Sequence, residues 1–206
     1  MRVIAGSAGR IPLRAPHSQM RPTMDVVKGA IFSSLADAVP GACVLDLFAG
    51  SGALGIEALS RGASRVLFVE SDPRACDCIA ENLRKTRLAG SVKKSDVFDF
   101  LKQPPAPARA DIVLADPPYS KSPGAPDFAA QLVCSPHLPQ HVAPGASFVL
   151  EVSAGWRFPE SSPWECAKRR RYGATEVLFL HLRDSTPPET GAAGCPVPSA
   201  PSPGTL

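Results

Sequence analysis

The 206-residue sequence has little of what builds metal centres or membrane spans. Its six cysteines include no C-x-x-C pair and no accompanying histidine cluster, so no metal site is predicted. No apolar run approaches the roughly 20 residues that a bilayer span needs, and no signal peptide precedes the predicted fold. We therefore expect a soluble, cytoplasmic protein, and a monomer is the simplest expectation.

Strong charge and abundant aromatic residues are also absent. The formal net charge is +3 at pH 7, which permits a polyanionic partner such as nucleic acid without requiring one. Aromatic residues make up 6% of the chain, and the two tryptophans, Trp156 and Trp164, are expected to pack in the core or at its edge.

Proline, by contrast, is abundant, and its distribution indicates how the chain is organised. Many of the 23 prolines fall in residues 185–206, which have no hydrophobic period and almost no charge. We interpret this segment as a disordered tail. Residues 1–40 are predicted to form an arm and a first helix of the same domain, and residues 41–184 the core.

Short apolar strands alternate with helices through most of the chain. After a small β-arm near the N-terminus, a helix is predicted over Asp25 to Val39, with Thr23 as its N-cap. The next strand is predicted over Val44 to Phe48, and a later one over Ser147 to Val152. The alternation favours an α/β fold with a mostly parallel sheet and helices on both faces, closed by a C-terminal antiparallel hairpin.

A glycine-rich turn follows the strand that contains Asp46. The candidate ligand-contacting positions in it are Phe48, Ala49, Gly50, Ser51 and Gly52. Glycine lets a ligand approach the backbone closely, and the helix that follows presents unpaired N–H groups. Taken alone, the G-x-G-x-x-G spacing also suits a dinucleotide. An aspartate inside the strand favours a ligand that carries a cationic group.

Two further acids follow the next strands. Glu70, which is followed by Ser71, is placed to accept hydrogen bonds from ribose hydroxyls. Asp96, which is followed by Val97, could accept from an adenine amino group or could be a solvated loop acid. Asp72 is the better candidate for capping the helix after Glu70.

The most discriminating motif is Asp116-Pro117-Pro118-Tyr119, directly after an apolar strand. Two prolines remove two backbone donors, so the carboxylate and the Pro117 carbonyl remain as acceptors beside an aromatic ring. That arrangement suits the –NH2 group of a planar base, with Tyr119 stacked on the ring.

In order and spacing these motifs resemble class I Rossmann-like methyltransferases that act on exocyclic amines. The chain more specifically resembles the bacterial 16S rRNA (guanine-N2) methyltransferases of the RsmD family. The features that carry this resemblance are the opening Arg2 to Gly6 with Gly9-Arg10, the R-P-T-x-D segment from Arg21 to Asp25, and the block D-L-F-A-G-S-G-A-L-G-I-E-A-L-S-R-G-A. It covers about residues 1–183, and Gly29 stands where the family commonly has an acid.

The resemblance implies a seven-stranded sheet, S-adenosylmethionine as methyl donor, and the guanine at position 966 of 16S rRNA in the small subunit or its assembly intermediate. It assigns the methionine end of the donor to Asp46, Gly50 and Gly52, the ribose to Glu70, and the adenine to Asp96 and Val97. It assigns the target base to the Asp-Pro-Pro-Tyr segment.

Basic residues near the N-terminus suggest where RNA would bind. The candidates are Arg2, Arg10, Arg21, Thr23 and Lys28, and the run Lys168 to Arg171 is a weaker one. Three alternatives remain: an adenine-N6 methyltransferase for DNA, a methyltransferase for a tRNA amine, and a nucleotide-binding oxidoreductase or inactive binding protein. The small size argues against a DNA enzyme, and Asp-Pro-Pro-Tyr argues against the last class.

Overall fold

The computed structural model describes residues 1–15, 23–119 and 124–183. The proline-rich tail and Arg21 lie outside these residues. The helices are α1 (Thr23–Leu35), α2 (Ala53–Ser60), α3 (Pro73–Thr86), α4 (Val97–Leu101) and α5 (Phe128–Val133), with short 3-10 turns at Ala36–Ala38 and Leu138–His141. The strands are β1 (Cys43–Leu47), β2 (Arg65–Glu70), β3 (Ser91–Lys94), β4 (Ala110–Ala115), β5 (Val142–Ser153), β6 (Trp164–Tyr172) and β7 (Thr175–Leu182).

All seven strands form one sheet in the order β3-β2-β1-β4-β5-β7-β6. Strands β1 to β5 are parallel to one another, whereas β7 runs antiparallel to both β5 and β6. The predicted α/β fold with a C-terminal antiparallel hairpin is confirmed. Since the chain leaves β1 in one direction and returns on its other side at β4, a crevice is expected at the carboxyl ends of these two strands.

Two hydrophobic clusters cover the two faces of the sheet. Along β5, Phe148 and Leu150 belong to one cluster, and Val149 between them belongs to the other, as the pleat requires. Trp164 is fully buried and packs edge-on against Phe148, with ring centroids 5.0 Å apart. The prediction that Trp164 packs in the core is thus confirmed.

The predicted β-arm forms at the N-terminus and packs on α2. Arg2 and Pro12 form an antiparallel bridge, and the Val3 amide donates to the Ile11 carbonyl at 2.9 Å. Gly6 has a φ of +84°, and a Cβ at this position would lie 1.8 Å from the Ser60 carbonyl oxygen. Only glycine therefore allows the arm to lie this close to α2.

A buried acid, Glu57 of α2, joins the arm to the helices. Its carboxylate accepts hydrogen bonds from the backbone amides of Ile4 at 2.7 Å and Ala5 at 3.0 Å. It also pairs with Arg61 at 2.7 Å and with Lys28 at 3.5 Å. We call Glu57, Lys28 and Arg61 the paired cluster, because a carboxylate with no exposed surface is neutralised there by two cations.

The paired cluster corrects the prediction that Lys28 contacts RNA. Lys28 is only 3% exposed, and its ammonium also donates to the Arg2 carbonyl, so it has no free surface for a phosphate. Burial lowers the pKa of Lys28, and Glu57 opposes this effect. Thr23 is likewise the first residue of α1 and not the cap before it.

Candidate functional site

The glycine-rich turn between β1 and α2 forms one side of the site. The backbone is left-handed at Phe48 (φ 54°), Gly50 (φ 55°) and Gly52 (φ 76°). The sequence predicts that Phe48 ends the strand, but its positive φ turns the chain away from the sheet. A positive φ is uncommon for a bulky residue. A Cβ added to Gly50 would meet no protein atom nearer than the Phe48 carbonyl oxygen at 3.9 Å. The space beside the turn is therefore open to a ligand.

The third glycine of the motif has a different role. A Cβ at Gly55 would lie 2.3 Å from the Phe68 ring, so this glycine lets α2 pack closely on β2. Its backbone amide donates to the buried Asp46 carboxylate at 2.9 Å. Asp46 thus fixes the start of α2, and burial raises its pKa well above the ordinary value, with nearby Asp116 and Glu70 adding to the shift.

Glu70 at the end of β2 holds the turn in place. One carboxylate oxygen accepts from the Gly50 amide at 2.8 Å, and the other accepts from the amides of Ser71 at 2.7 Å and Asp72 at 2.9 Å. Asp72 caps α3 through the Arg74 amide, as predicted. Glu70 is therefore an ordered acceptor beside the turn, where the sequence predicted a ribose-binding acid.

Asp96 is the N-cap of α4 and not simply a solvated loop acid. Its carboxylate accepts from the amides of Phe98 at 2.8 Å and Asp99 at 3.1 Å. The Val97 side chain is buried in the core, so a ligand could contact this residue only through its backbone. The assignment of both residues to an adenine ring stays a prediction.

The Asp-Pro-Pro-Tyr segment follows β4 directly, on the other side of β1 from β2. Pro117 is buried, and the Tyr119 hydroxyl lies 3.3 Å from the Thr175 hydroxyl of β7. Asp116 keeps exposed surface in the cleft, but the protein packed around its carboxyl raises its pKa to about 6. Its carboxylate, close enough to Asp46 to raise that residue's pKa, forms the second side of the site.

Glu151 of β5 is a site residue that the sequence analysis missed. Ala115 pairs with Leu150, so the next residues along the two strands, Asp116 and Glu151, come side by side. Burial, Asp116 and Asp46 together raise the pKa of Glu151 well above its ordinary value. The signal in the sequence was an acid inside the otherwise apolar run of β5, the same signal that singled out Asp46.

We call Asp46, Asp116 and Glu151 the open cluster. Among the described residues, no lysine or arginine forms an ion pair with any of these three carboxylates. No described group of His, Cys, Asp or Glu is arranged to hold a metal ion. The cluster therefore brings three acids without a described cationic partner to the carboxyl ends of β1, β4 and β5, which suits a cationic organic ligand.

Aromatic rings surround this edge of the sheet. Phe48, Phe98 and Phe128 have ring centroids 6.0 to 6.1 Å from one another. Beyond the Asp-Pro-Pro-Tyr segment lies an open recess, and Trp156 lines it. The prediction that Trp156 only packs at the edge of the core is incomplete, since its ring also borders this recess.

The predicted RNA-contacting residues are dispersed. Arg2 is exposed and lies 3.7 Å from Asp25, and Arg10 is exposed in a left-handed conformation. Arg14, on the same arm, pairs with Glu81. In the run on β6, Lys168 bonds Ser34, Arg169 pairs with Glu176, and Arg171 donates to the Gly173 carbonyl. RNA contact by Arg2, Arg10, Arg21 and Thr23 stays a prediction.

A family comparison matches nearly the whole described chain. The family described as conserved hypothetical protein 95 matches residues 1–181. Within the described part of that range no helix is long and apolar enough to cross a membrane. The matched range contains the glycine turn, the open cluster and the Asp-Pro-Pro-Tyr segment.

Two curated relatives carry the same name, ribosomal RNA small subunit methyltransferase D. The protein from Haemophilus influenzae is 38% identical over 123 residues, covering 58% of this chain and 64% of the relative. The protein from Escherichia coli K12 is 37% identical over 123 residues, covering 59% of this chain and 61% of the relative. The chain thus spans somewhat less than two thirds of the length of these relatives.

Solved structures extend the similarity to almost the full length. The putative methyltransferase yhhF of Escherichia coli superimposes with a TM-score of 0.73 at 28% identity, covering 88% of this chain and 97% of that one. A hypothetical protein of Thermus thermophilus gives a TM-score of 0.71 at 30% identity, covering 87% and 98%. These similarities agree with the predicted class I methyltransferase fold.

Proposed function

The chain belongs to the family described as conserved hypothetical protein 95, the RsmD family of the sequence-based resemblance, and on this premise we propose that it methylates an exocyclic amine in small-subunit ribosomal RNA. The two curated relatives named for this reaction support the proposal. The proposed target atom is the N2 of a guanine, at the position that the family resemblance implies. The proposed partner is 16S rRNA in the small subunit or its assembly intermediate.

One observation carries the proposal. The Asp116 carboxylate lies beside the glycine turn, across the end of β1, and Pro117, Pro118 and Tyr119 line the adjoining recess. A hydrogen-bond acceptor, a proline-stiffened backbone and an aromatic ring therefore border one cleft. This is the set of groups needed to hold a planar base by its amine.

The residues present fit S-adenosylmethionine as the donor. The open space beside Gly50 admits a ligand close to the backbone, and the unneutralised open cluster complements a sulfonium and an ammonium group. Asp46 and the turn from Phe48 to Gly52 would hold the methionine end, Glu70 and Ser71 the ribose, and Asp96 with Val97 the adenine. The donor would supply a methyl group on a positively charged sulfur.

Within this arrangement the protein's own groups orient the amine. The Asp116 carboxylate and the Pro117 carbonyl accept its two hydrogens, which directs the nitrogen lone pair along one line. Alignment of that lone pair contributes more than a strong base would, since the amine is itself the nucleophile. Asp116, with a pKa of about 6, can also take the proton that the nitrogen releases afterwards.

The test is methyl transfer from radiolabelled S-adenosylmethionine to three substrates in parallel. These are immature small-subunit particles from cells that lack the endogenous enzyme, naked 16S rRNA, and duplex DNA. Asp116→Ala is the inactive variant, and Asp99→Ala, at an exposed acid on α4, is its matched control. We expect label in the particles, mapped to a guanine N2, with wild type and Asp99→Ala only.

Other outcomes separate the alternatives. Label in DNA, or on an adenine N6, would contradict the rRNA assignment but keep the reaction. Absence of label in all three substrates, with cofactor binding confirmed by calorimetry, would overturn the proposed substrate and direct the search to tRNA. Absence of cofactor binding would overturn the methyltransferase proposal itself.

A further inference from the structure

Trp156 borders the recess beside the Asp-Pro-Pro-Tyr segment, but it has no role in the proposed function. The residues that line this recess are Pro117, Pro118, Tyr119, Asp127, Ala129, Val152, Ser153 and Trp156. The walls therefore combine apolar groups, including two aromatic rings, with polar atoms such as the Asp127 carboxylate. A flat ring that carries polar atoms at its edge would fit such a recess.

Three hydrogen bonds hold Trp156 in position. The indole N–H donates to the Asp127 carboxylate at 2.8 Å, and Asp127 is itself fixed as the N-cap of α5. The Trp156 amide donates to the Ser153 carbonyl at 3.1 Å, and its carbonyl accepts from the Arg169 guanidinium at 3.2 Å. Hydrogen bonds therefore hold both the backbone of Trp156 and the N–H edge of its indole ring.

The segment that carries Trp156 is fastened to the terminal hairpin as well. The Gly155 amide donates to the Glu176 carboxylate at 3.3 Å, and Glu176 pairs with the same Arg169. The Ala154 amide donates to the Ala174 carbonyl at 2.9 Å. A ring that is already ordered loses little conformational entropy when a ligand stacks on it.

We propose that Trp156 is a base-binding residue, which stacks on the purine whose amine is held by Asp116. This inference rests on the proposed function. It follows from adjacency: Pro117, Pro118 and Tyr119 both flank the amine-binding acceptors and line the recess, so the rest of the bound base extends toward Trp156. The occupant is a single purine extruded from RNA, because a paired and stacked base could not enter.

Steady-state kinetics with small-subunit particles form the first test. Removing a base-stacking ring weakens binding by about 5- to 150-fold. We therefore expect Trp156→Ala to lower kcat/KM for the particles by about that factor, mainly through KM, and Trp156→Phe to restore most of it. The dissociation constant for S-adenosylmethionine should not change in either variant.

Phe158→Ala is the matched control for loop packing. Phe158 contacts the Trp156 ring edge-on, with centroids 6.0 Å apart, but does not line the recess. If the indole only supports the loop, Phe158→Ala and Trp156→Ala should lower kcat/KM by similar factors. Trp156→Phe should then have the stability of wild type but not its kcat/KM. That result would overturn the proposal.

Tryptophan fluorescence gives a readout that does not depend on activity or on a truncated side chain. In Trp164→Phe, Trp156 is the sole tryptophan, and we expect a 16S rRNA fragment containing the target guanine to quench its emission and protect it from acrylamide. S-adenosylhomocysteine is present throughout. Unchanged emission at saturating RNA would refute the proposal, and this result does not depend on whether Trp156→Ala folds. If Trp164→Phe does not fold, the emission of wild type is compared with that of Trp156→Phe.

The same experiments separate this inference from the proposed function. If wild type methylates no rRNA, the proposed function fails before any variant is compared. If wild type methylates the particles and Trp156→Ala does so with unchanged KM and kcat, the proposed function stands and Trp156 has no part in base binding.

Discussion

Two sites in the same domain contain a buried acid, Glu57 in one and Asp46 in the other, and they differ in whether a cation accompanies it. In the paired cluster, Glu57 has a lysine, an arginine and two backbone amides as partners. In the open cluster, burial and the neighbouring Asp116 raise the pKa of both Asp46 and Glu151, and none of the three acids has a described lysine or arginine as a partner. Both are costly to bury, but only the first is compensated within the chain.

The paired cluster stabilises the fold, whereas we expect the open cluster to take part in ligand binding. The paired cluster joins the N-terminal arm, α1 and α2, and its two cations compensate the buried carboxylate within the chain. The open cluster keeps an unfavourable concentration of negative charge at the end of the sheet, as is common where a ligand must supply the compensating charge. The following predictions, ordered by expected effect, each test one half of this contrast.

Removing the acid of the paired cluster should have the largest effect. Glu57→Ala leaves the buried Lys28 ammonium without its partner and frees the amides of Ile4 and Ala5. We expect the free energy of unfolding to fall by about 3–5 kcal/mol, measured by urea denaturation. Glu81→Ala, at a half-buried acid of α3 that pairs with Arg14, is the control. A loss below about 1 kcal/mol for Glu57→Ala would mean that the cluster is not structurally important.

Neutralising the acceptor of the open cluster should affect catalysis instead of folding. Asp116→Asn keeps the shape of the side chain but replaces an acceptor oxygen with a donor. We expect kcat to fall by about 100- to 1000-fold, as for loss of one preorganised polar group, with calorimetric binding of S-adenosylmethionine retained. Retained turnover would show that Asp116 does not hold the amine.

The same residue predicts a pH dependence. Because the pKa of Asp116 is raised to about 6, the carboxylate form that accepts hydrogen bonds is lost as the pH falls through that value. Activity should therefore rise with pH to a plateau above about pH 6, and the midpoint should lie at or below 6 because part of Asp116 faces solvent. A pH profile of kcat/KM with no such limb would contradict this assignment.

Removing one charge from the open cluster should stabilise the ligand-free protein. The pKa of Glu151 is higher in the folded state than in the unfolded state. Its contribution to stability is therefore greatest below the pKa of the unfolded state, and it is lost as the pH rises through the pKa of the folded state. Glu151→Gln should therefore raise the free energy of unfolding by about 1 kcal/mol at pH 8 and leave it unchanged at pH 4. Equal effects at both pH values would argue against a charge origin.

The smallest effect concerns the helix that delivers Lys28 to the paired cluster. Gly29 lies within α1, and an added Cβ would meet no atom within 4 Å. Gly29→Ala should stabilise the protein by about 0.5–1 kcal/mol, seen as a higher denaturation midpoint with activity unchanged. Destabilisation would indicate that α1 needs glycine for a close contact.

Much of the fold and part of the site could be predicted from the sequence. The strand and helix pattern, the glycine turn, Glu70 beside it and the Asp72 cap depend on residues close together in the chain, and the structure agrees with them. Lys28 was wrongly assigned to RNA because its charge was visible, whereas its partner Glu57 lies 29 positions away on another helix.

Two other residues were missed for the same kind of reason. Glu151 joins Asp116 only through the register of β5 on β4, and Trp156 reaches the recess only through its bond to Asp127. Neither pairing leaves a motif in the linear sequence, since the partners are separated by 35 and 29 positions, respectively.

The sequence by itself determined the sheet class, the glycine turn and the Asp-Pro-Pro-Tyr segment, because in each a few adjacent residues set the backbone conformation. Only the tertiary structure decided which charges are neutralised and which are left open. That outcome depends on strand register and on how α1 packs beside α2, since the energy of a buried charge is set by its neighbours in space.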